Sequence, residues 1–276
     1  NPSLVGSEMC IRDSIYTYHL LSEALRRGHN NRSHFVGDPD YFNVPVESLL
    51  SKDRIVELVK SIDMKKASKS TSVKPLNLIK EGRDTTHFSI IDKEGNAVSN
   101  TYTLGYSFGS GVTIPGTGIL MNNQMNNFAY SYGDKKERGR AASFGNKFEP
   151  GKKPMSTMAP VMVFNEDNKL LLITGSPGGA LIPAAILRVI TGVIDFDLNI
   201  GEATMLTRVH KDWPKPGIRY EKTLTPIVVK RLKDMGHGAT SDKTMGSTQS
   251  IHIIDGVNYG YSDLRRPGAG VSIQPN

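Results

Sequence analysis

The spacing of apolar and polar positions changes along the chain, and each change marks an element. From Ile15 to about Arg27, Tyr18, Leu20, Leu21 and Leu25 recur at helical intervals, which predicts a short amphipathic helix. Gly37-Asp38-Pro39-Asp40 reads as a turn, and Val46 to Ile62 as one or two short helices with Pro45 near the start. Lys65 to Lys74 is rich in Lys, Ser and Thr and has no apolar period, and Met64 to Asp84 reads as an exposed linker that ends at the threonine pair. Period two then takes over. His87 to Asp92 and Ala97 to Leu104 alternate around Lys93-Glu94-Gly95-Asn96, a hairpin with glycine in its turn.

Two glycine-containing segments follow, Gly105 to Gly118 and Gly133 to Gly151; the second carries five Lys or Arg and reads as a mobile surface loop. Val161 to Phe164 and Leu170 to Thr174 are short strands. Gly175-Ser176-Pro177-Gly178-Gly179 then opens a helix with an apolar face of Ile182, Ala185, Ile186, Val189, Ile190 and Val193. Helices are expected at Ile200 to Val209 and Leu224 to Met235, and strands at Ser250 to Ile254 and Asn258 to Tyr261. Strands, then helices, then strands again predict a layered α/β or α+β sandwich, and no internal repeat is evident.

Composition narrows the function classes. The 276 residues are 38% hydrophobic and 22% charged, enough to bury a sizeable core. The net charge of +7 is scattered, with only short clusters such as Lys135-Lys136 and Lys152-Lys153, which favours solubility over nucleic-acid binding. No apolar run approaches the ~20 residues of a membrane span; Ala180 to Ile194 is interrupted by Pro183 and Arg188. The one cysteine, Cys10, allows no internal disulfide. It lies in Glu8 to Ser14 (EMCIRDS), which looks like a translated transposon-end adapter, so residues 1–14 are expected to carry no fold information.

Common catalytic signatures are missing: there is no G-x-x-x-x-G-K-[ST] loop and no H-E-x-x-H. The seven histidines show no metal-ligand spacing. A G-x-S-x-G match at Gly105 to Gly109 raises Ser107 as a nucleophile, but the glycines and Pro115 beyond it do not suit the helix that such an elbow needs. Thr85-Thr86 remains, where linker meets strand. Two threonines there reflect strand propensity or a nucleophile. A threonine hydroxyl needs a base, and an N-terminal threonine has one in its own α-amino group, whose pKa of ~7.7 to 8.0 suits proton transfer near neutrality. Cleavage at Asp84-Thr85 creates that terminus.

Seven ordered stretches carry a resemblance: Thr85 to Ser89 (TTHFS), Thr101 to Leu104, Leu120 to Phe128 (LMNNQMNNF), Pro154 to Pro160 (PMSTMAP), Thr174 to Gly179 (TGSPGG), Met245 to Ser250 (MGSTQS) and Ser262 to Gly268 (SDLRRPG). With His19 to Pro45 upstream, they resemble the γ-glutamyltransferase (glutathione hydrolase) family over nearly all of residues 15–270. The resemblance implies an α+β fold, the αββα sandwich of the N-terminal-nucleophile hydrolases, made as a precursor that cuts itself into two subunits. Residues 15–84 are then the end of the large subunit with its linker, and 85–276 the small subunit.

By the same resemblance Thr85 is the nucleophile and attacks the Asp84 carbonyl in autocleavage. Thr103 is the threonine that contacts it; otherwise it is a plain strand residue. Gly178 and Gly179 match the oxyanion hole, an assignment compatible with a tight strand-to-helix turn. Ser156 and Thr157 match the pair that binds the substrate α-carboxylate, and Gln124 one form of the α-amino pocket. Asn127 stands where the family usually has an acid, and Gly105 where it has asparagine, which puts the γ-glutamyl preference in question. The implied chemistry runs through a γ-glutamyl-threonyl ester, from glutathione to water or to an amino acid or dipeptide, without metal or organic cofactor. A periplasmic or extracellular setting is implied. A glutaryl-type acylase of the same fold is the alternative, and an inactive fragment or binding remnant the alternative from another class. Only 84 residues precede Thr85, so the family arginine that grips the α-carboxylate from far upstream is expected to be missing.

Overall fold

A computed structural model describes residues 14–70, 85–132, 135–139, 144–213, 217–267 and 270–273. Cys10 with most of the adapter-like segment, linker residues 71–84 including Asp84, and loop residues 133–134 and 140–143 lie outside the described residues. In chain order the elements are α1 (Ile15–Phe35), α2 (Val46–Leu50), α3 (Lys52–Lys60), β1 (Thr86–Ile91), β2 (Ala97–Tyr102), β3 (Ala129–Tyr132), β4 (Lys135–Gly139), β5 (Val161–Phe164), β6 (Leu170–Thr174), α4 (Ile182–Ile194), α5 (Ile200–Met205), β7 (Val209–His210), β8 (Gly217–Glu221), α6 (Pro226–Asp234), β9 (Gly238–Asp242), β10 (Gln249–Ile254) and β11 (Val257–Ser262). The described chain divides into two compact units, one drawn from 14–70, 123–156 and 209–242, the other from 85–122, 157–208 and 243–273.

In the first unit α1 begins at Ser14, the last residue of the adapter-like segment, whose Oγ accepts from Thr17 N–H at 3.2 Å and caps the helix. The helix runs eight residues beyond the predicted Arg27. Its polarity hid that length, because the buried face includes His19, Ser22, Glu23, Arg26 and His29. Glu23 is the hub. It pairs with Arg26 and Arg27 at 3.2 and 2.6 Å and accepts from Ser68 N–H at 3.1 Å, while Arg26 reaches Ser70 Oγ at 2.5 Å. Residues 67–70, expected in an exposed linker, are thus tied down, with Ala67 N–H also bonded to Met235 O at 2.7 Å. The sheet β7-β8-β9 pairs antiparallel, then parallel across α6, around Tyr18, Val209, Ile218, Leu224, Val229 and Leu232. Val209 belongs to this sheet, since α5 ends at Met205. β4, inside the segment expected to be a loop, pairs with β3.

In the second unit the sheet runs β11-β10-β6-β5, antiparallel throughout. Helices α4 and α5 pack on it through Leu172, Val189, Val193, Leu198, Ile200, Ala203 and Leu206. Burying a Leu, Ile or Val side chain contributes roughly 1.5 to 3 kcal/mol, so this cluster anchors the sheet that carries the 175–179 turn. The predicted apolar face of α4 is the buried one, joined by Arg188, whose Nε donates to Thr207 O at 3.2 Å. The β1–β2 hairpin packs on the same sheet, Ser99 Oγ donating to Thr174 O at 3.2 Å and Ser89 Oγ to Gln249 O at 2.9 Å.

Candidate active site

The hairpin carries its hydroxyls inward. Successive strand side chains alternate faces, and here Thr85, His87 and Ser89 take the inner face, while Thr86, Phe88 and Ile90 are exposed. On β2 the alternation likewise turns Ser99 and Thr101 inward and leaves Val98 and Tyr102 exposed. The antiparallel register pairs Thr86 with Tyr102 and His87 with Thr101; buried Thr85 directly precedes β1, and Thr103 follows β2.

Thr103 Oγ1 accepts from Gly105 N–H at 2.9 Å, a turn closed by a hydroxyl. Gly105 has φ +97°, a left-handed conformation that suits glycine. No helix follows Ser107, which is exposed among turns, so the geometry is not a nucleophile elbow.

Three of the sequence motifs converge in this unit. Gly178 and Gly179 have φ +135° and +58° and form the turn that enters α4 through a short 3-10 segment, Gly179–Leu181. Met245 to Ser250 packs on that turn: Ser247 N–H donates to Ser176 Oγ at 3.0 Å, and Gln249 N–H to Gly175 O at 3.1 Å. A Cβ on Gly178 would come 3.3 Å from Gly246 Cα. Asp263 holds this segment from behind, accepting from Thr248 N–H at 3.0 Å and pairing with Arg208 at 2.8 Å and Arg265 at 3.2 Å. Burial would raise the Asp263 pKa, but the two guanidiniums and the N–H groups of Arg265 and Thr248 hold it below the usual carboxylate range.

The remaining predicted residues divide between the units. Thr157, half-buried, belongs with Thr85, Thr103, Gly105, Gly178 and Gly179; Ser156, exposed, belongs with Gln124 and Asn127. In that first unit the 3-10 turn Gln124–Asn127 joins its two ends through a short bond from Asn127 Nδ2 to Gln124 Oε1. Asn146, absent from the sequence reading, donates from Nδ2 to Asn127 O at 2.8 Å and accepts from Met155 N–H at 2.9 Å. It therefore links the turn to the residue before Ser156. Gln124, Asn127 and Asn146 are all uncharged side chains. Among the described residues no three His, Cys, Asp or Glu side chains gather to hold a metal ion.

Comparisons with known proteins give the family and the fold. The family model described as Gamma-glutamyltranspeptidase matches residues 7–273. The glutathione hydrolase proenzyme of Escherichia coli K12 is 39% identical over 248 residues, covering 89% of this chain and 43% of that one. The chain thus spans less than half the length of this curated relative. Among solved structures, the gamma-glutamyltranspeptidase of Pseudomonas nitroreducens complexed with L-DON matches with TM-score 0.62 and 40% identity, over 68% of this chain and all of that one. The cephalosporin acylase of Bacillus halodurans matches with TM-score 0.80 and 26% identity, over 96% of this chain and 46% of that one. The mixed α+β architecture matches both kinds of structure.

Proposed function

This chain belongs to the gamma-glutamyltranspeptidase family, and from that premise we propose that it carries the nucleophile half of a self-processing amide-bond acyltransferase with Thr85 as nucleophile. The observation that supports this reading is buried Thr85 directly before the Thr86–Tyr102 pair that heads the hairpin. In maturation Thr85 Oγ attacks the Asp84 carbonyl carbon, the C–N bond breaks to free the Thr85 amine as an ester forms, and water then cleaves that ester to give the Asp84 carboxylate and the free Thr85 hydroxyl. That amine then takes the Oγ proton as Oγ attacks a substrate amide carbon, and returns it to the departing amine. Thr103 orients the nucleophile. Gly178 and Gly179 supply backbone N–H groups for the oxyanion, where loss of one donor typically costs ~10² to 10³ in rate.

The proposed substrate is a γ-glutamyl amide such as glutathione, with the α-carboxylate at Ser156 and Thr157, and water, an amino acid or a dipeptide as acceptor. The αββα sandwich, the subunit division at Thr85 and a periplasmic or extracellular setting belong to the same proposal. Neutral Asn127, paired with Gln124, favours a second reading, a glutaryl-type amide acylase. Paired kinetics on γ-glutamyl and glutaryl anilides, with the protein made from its complete reading frame, decide between them. A kcat/KM ratio above about tenfold toward γ-glutamyl supports the first reading, because tenfold corresponds to ~1.4 kcal/mol of differential binding. A ratio near one or below supports the second; turnover of neither amide defeats both.

A further inference from the structure

His87 stands two residues from Thr85 on the inner face of β1, 5% exposed, and no step above uses it. Both ring nitrogens have partners: Nδ1 lies 2.7 Å from Thr101 Oγ1, and Nε2 3.1 Å from Ser89 Oγ. The directions of these bonds follow from one proton. Ser89 donates its only O–H to Gln249 O at 2.9 Å, so toward His87 it can only accept. Nε2 therefore carries the hydrogen, Nδ1 presents its lone pair, and Thr101 donates to it. The circuit closes on the oxyanion-side turn, because Gln249 N–H donates to Gly175 O at 3.1 Å.

The ring also meets that turn directly. A Cβ built on Gly175 would lie 2.1 Å from His87 Cε1, 2.3 Å from Nδ1 and 2.6 Å from Nε2. Gly175, unlike Gly178 and Gly179, is not among the positive-φ glycines, so glycine is required there for space. Every side chain larger than hydrogen would push the imidazole, and with it β1, off the turn.

We infer that His87 is a positioning residue that sets the distance between the strand bearing Thr85 and the turn bearing Gly178 and Gly179, through hydrogen bonds at both nitrogens and contact with the bare Cα of Gly175. The inference rests on the assignment of Thr85 as nucleophile. Burial keeps the ring neutral, as the circuit requires, lowering its pKa to about 4 against a weaker opposing pull from the Asn100 carbonyl. A sub-ångström error between nucleophile and oxyanion donors is costly in rate while leaving remote substrate contacts intact.

The test uses protein made from its complete reading frame, with His87→Ala, His87→Gln, Gly175→Ala and, as control, Thr85→Ala. Self-cleavage half-time is read first, since it needs no added substrate; kcat and KM follow on whichever anilide is turned over, and cooperative thermal unfolding reports folding. His87→Ala and Gly175→Ala should slow cleavage and kcat about tenfold or more, with KM within about twofold of wild type. His87→Gln, which keeps a donor toward Ser89, should recover part of that loss; it also serves as the test variant if His87→Ala does not fold. Wild-type cleavage and kcat in a folded His87→Gln and His87→Ala, or a loss confined to KM, overturns the inference. If Thr85→Ala is still cut, the nucleophile assignment fails; if Thr85→Ala is inert while the His87 variants are unaffected, only the positioning role fails.

Discussion

Thr86 pairs with Tyr102 at the head of the β1–β2 hairpin, with buried Thr85 directly before the pair in sequence and Thr103 directly after it. Thr103 accepts from Gly105 N–H through its hydroxyl oxygen, and the proposed site gives its O–H the task of orienting Thr85. Thr103→Ala should therefore slow self-cleavage and turnover by one to two decades, the equivalent of ~1.5 to 3 kcal/mol for a hydrogen bond to a charged group. Thr103→Ser, which keeps the oxygen, should stay within about threefold of wild type. Wild-type rates in a folded Thr103→Ala protein would return the residue to plain strand duty.

Asn127 tests the substrate. A substrate ammonium gains a charge-assisted bond from a carboxylate, about twice as strong as a neutral one. Asn127→Asp replaces the amide that donates to Gln124 Oε1, and Gln124 can turn its own amide to donate instead. The ratio of kcat/KM for γ-glutamyl over glutaryl anilide should rise about tenfold or more. An unchanged ratio means that Asn127 does not face the α-amino group.

Asp263 tests the support behind the turn. Its side chain and that of Arg208 are both fully buried, and removing one partner of such a pair typically costs ~3 to 5 kcal/mol because the other charge is left uncompensated. Asp263→Ala should lower the free energy of urea unfolding by that order. The sign with pH follows from a depressed carboxylate: the contribution is present above the unfolded pKa and lost as pH falls through the lower folded one. A loss below about 1 kcal/mol shows that the pair contributes little.

Three buried histidines predict a weakness to mild acid. Burial lowers His29 to about 3, His87 to about 4 and His237 to about 4, with smaller charge effects at His29 and His237 and an opposing backbone hydrogen bond with Asn100 at His87. Between the unfolded value near ~6.5 and those folded values, the unfolded chain holds protons that the native state excludes. Stability therefore rises with pH across that window and is fully present above it, by roughly 1.4 kcal/mol per pH unit for each proton. Urea unfolding from pH 7 to 4.5 checks this; a flat profile contradicts it.

The strands β5 and β6 were legible as short, mostly apolar runs, and the apolar face of α4 because its burial follows apolar spacing. The hairpin was legible as strands but not as a surface. Apolar Phe88, Ile90 and Val98 point out and hydroxyls point in, so period two located the strands while hydrophobicity alone would have chosen the wrong face. Period two does offer one missed signal: His87 shares a face with Thr85. The C-terminal half of α1 was hidden by its buried polar face, and β7 to β9 by short runs whose pairing depends on α6. Asn146 and Asp263 were not legible as partners, since Asn127 and Asn146, like Arg208 and Asp263, are distant in sequence and meet only in the fold.

N-terminal sequencing of the purified protein, made from its complete reading frame in wild-type and Thr85→Ala forms, tests the assignment of Thr85 most directly. Wild type should yield a fragment beginning Thr-Thr-His-Phe, and Thr85→Ala should accumulate as an intact precursor with no detectable turnover, because one hydroxyl serves both steps. A wild-type protein that stays uncut, or a Thr85→Ala protein cut after Asp84 in a protease-free preparation, would contradict it.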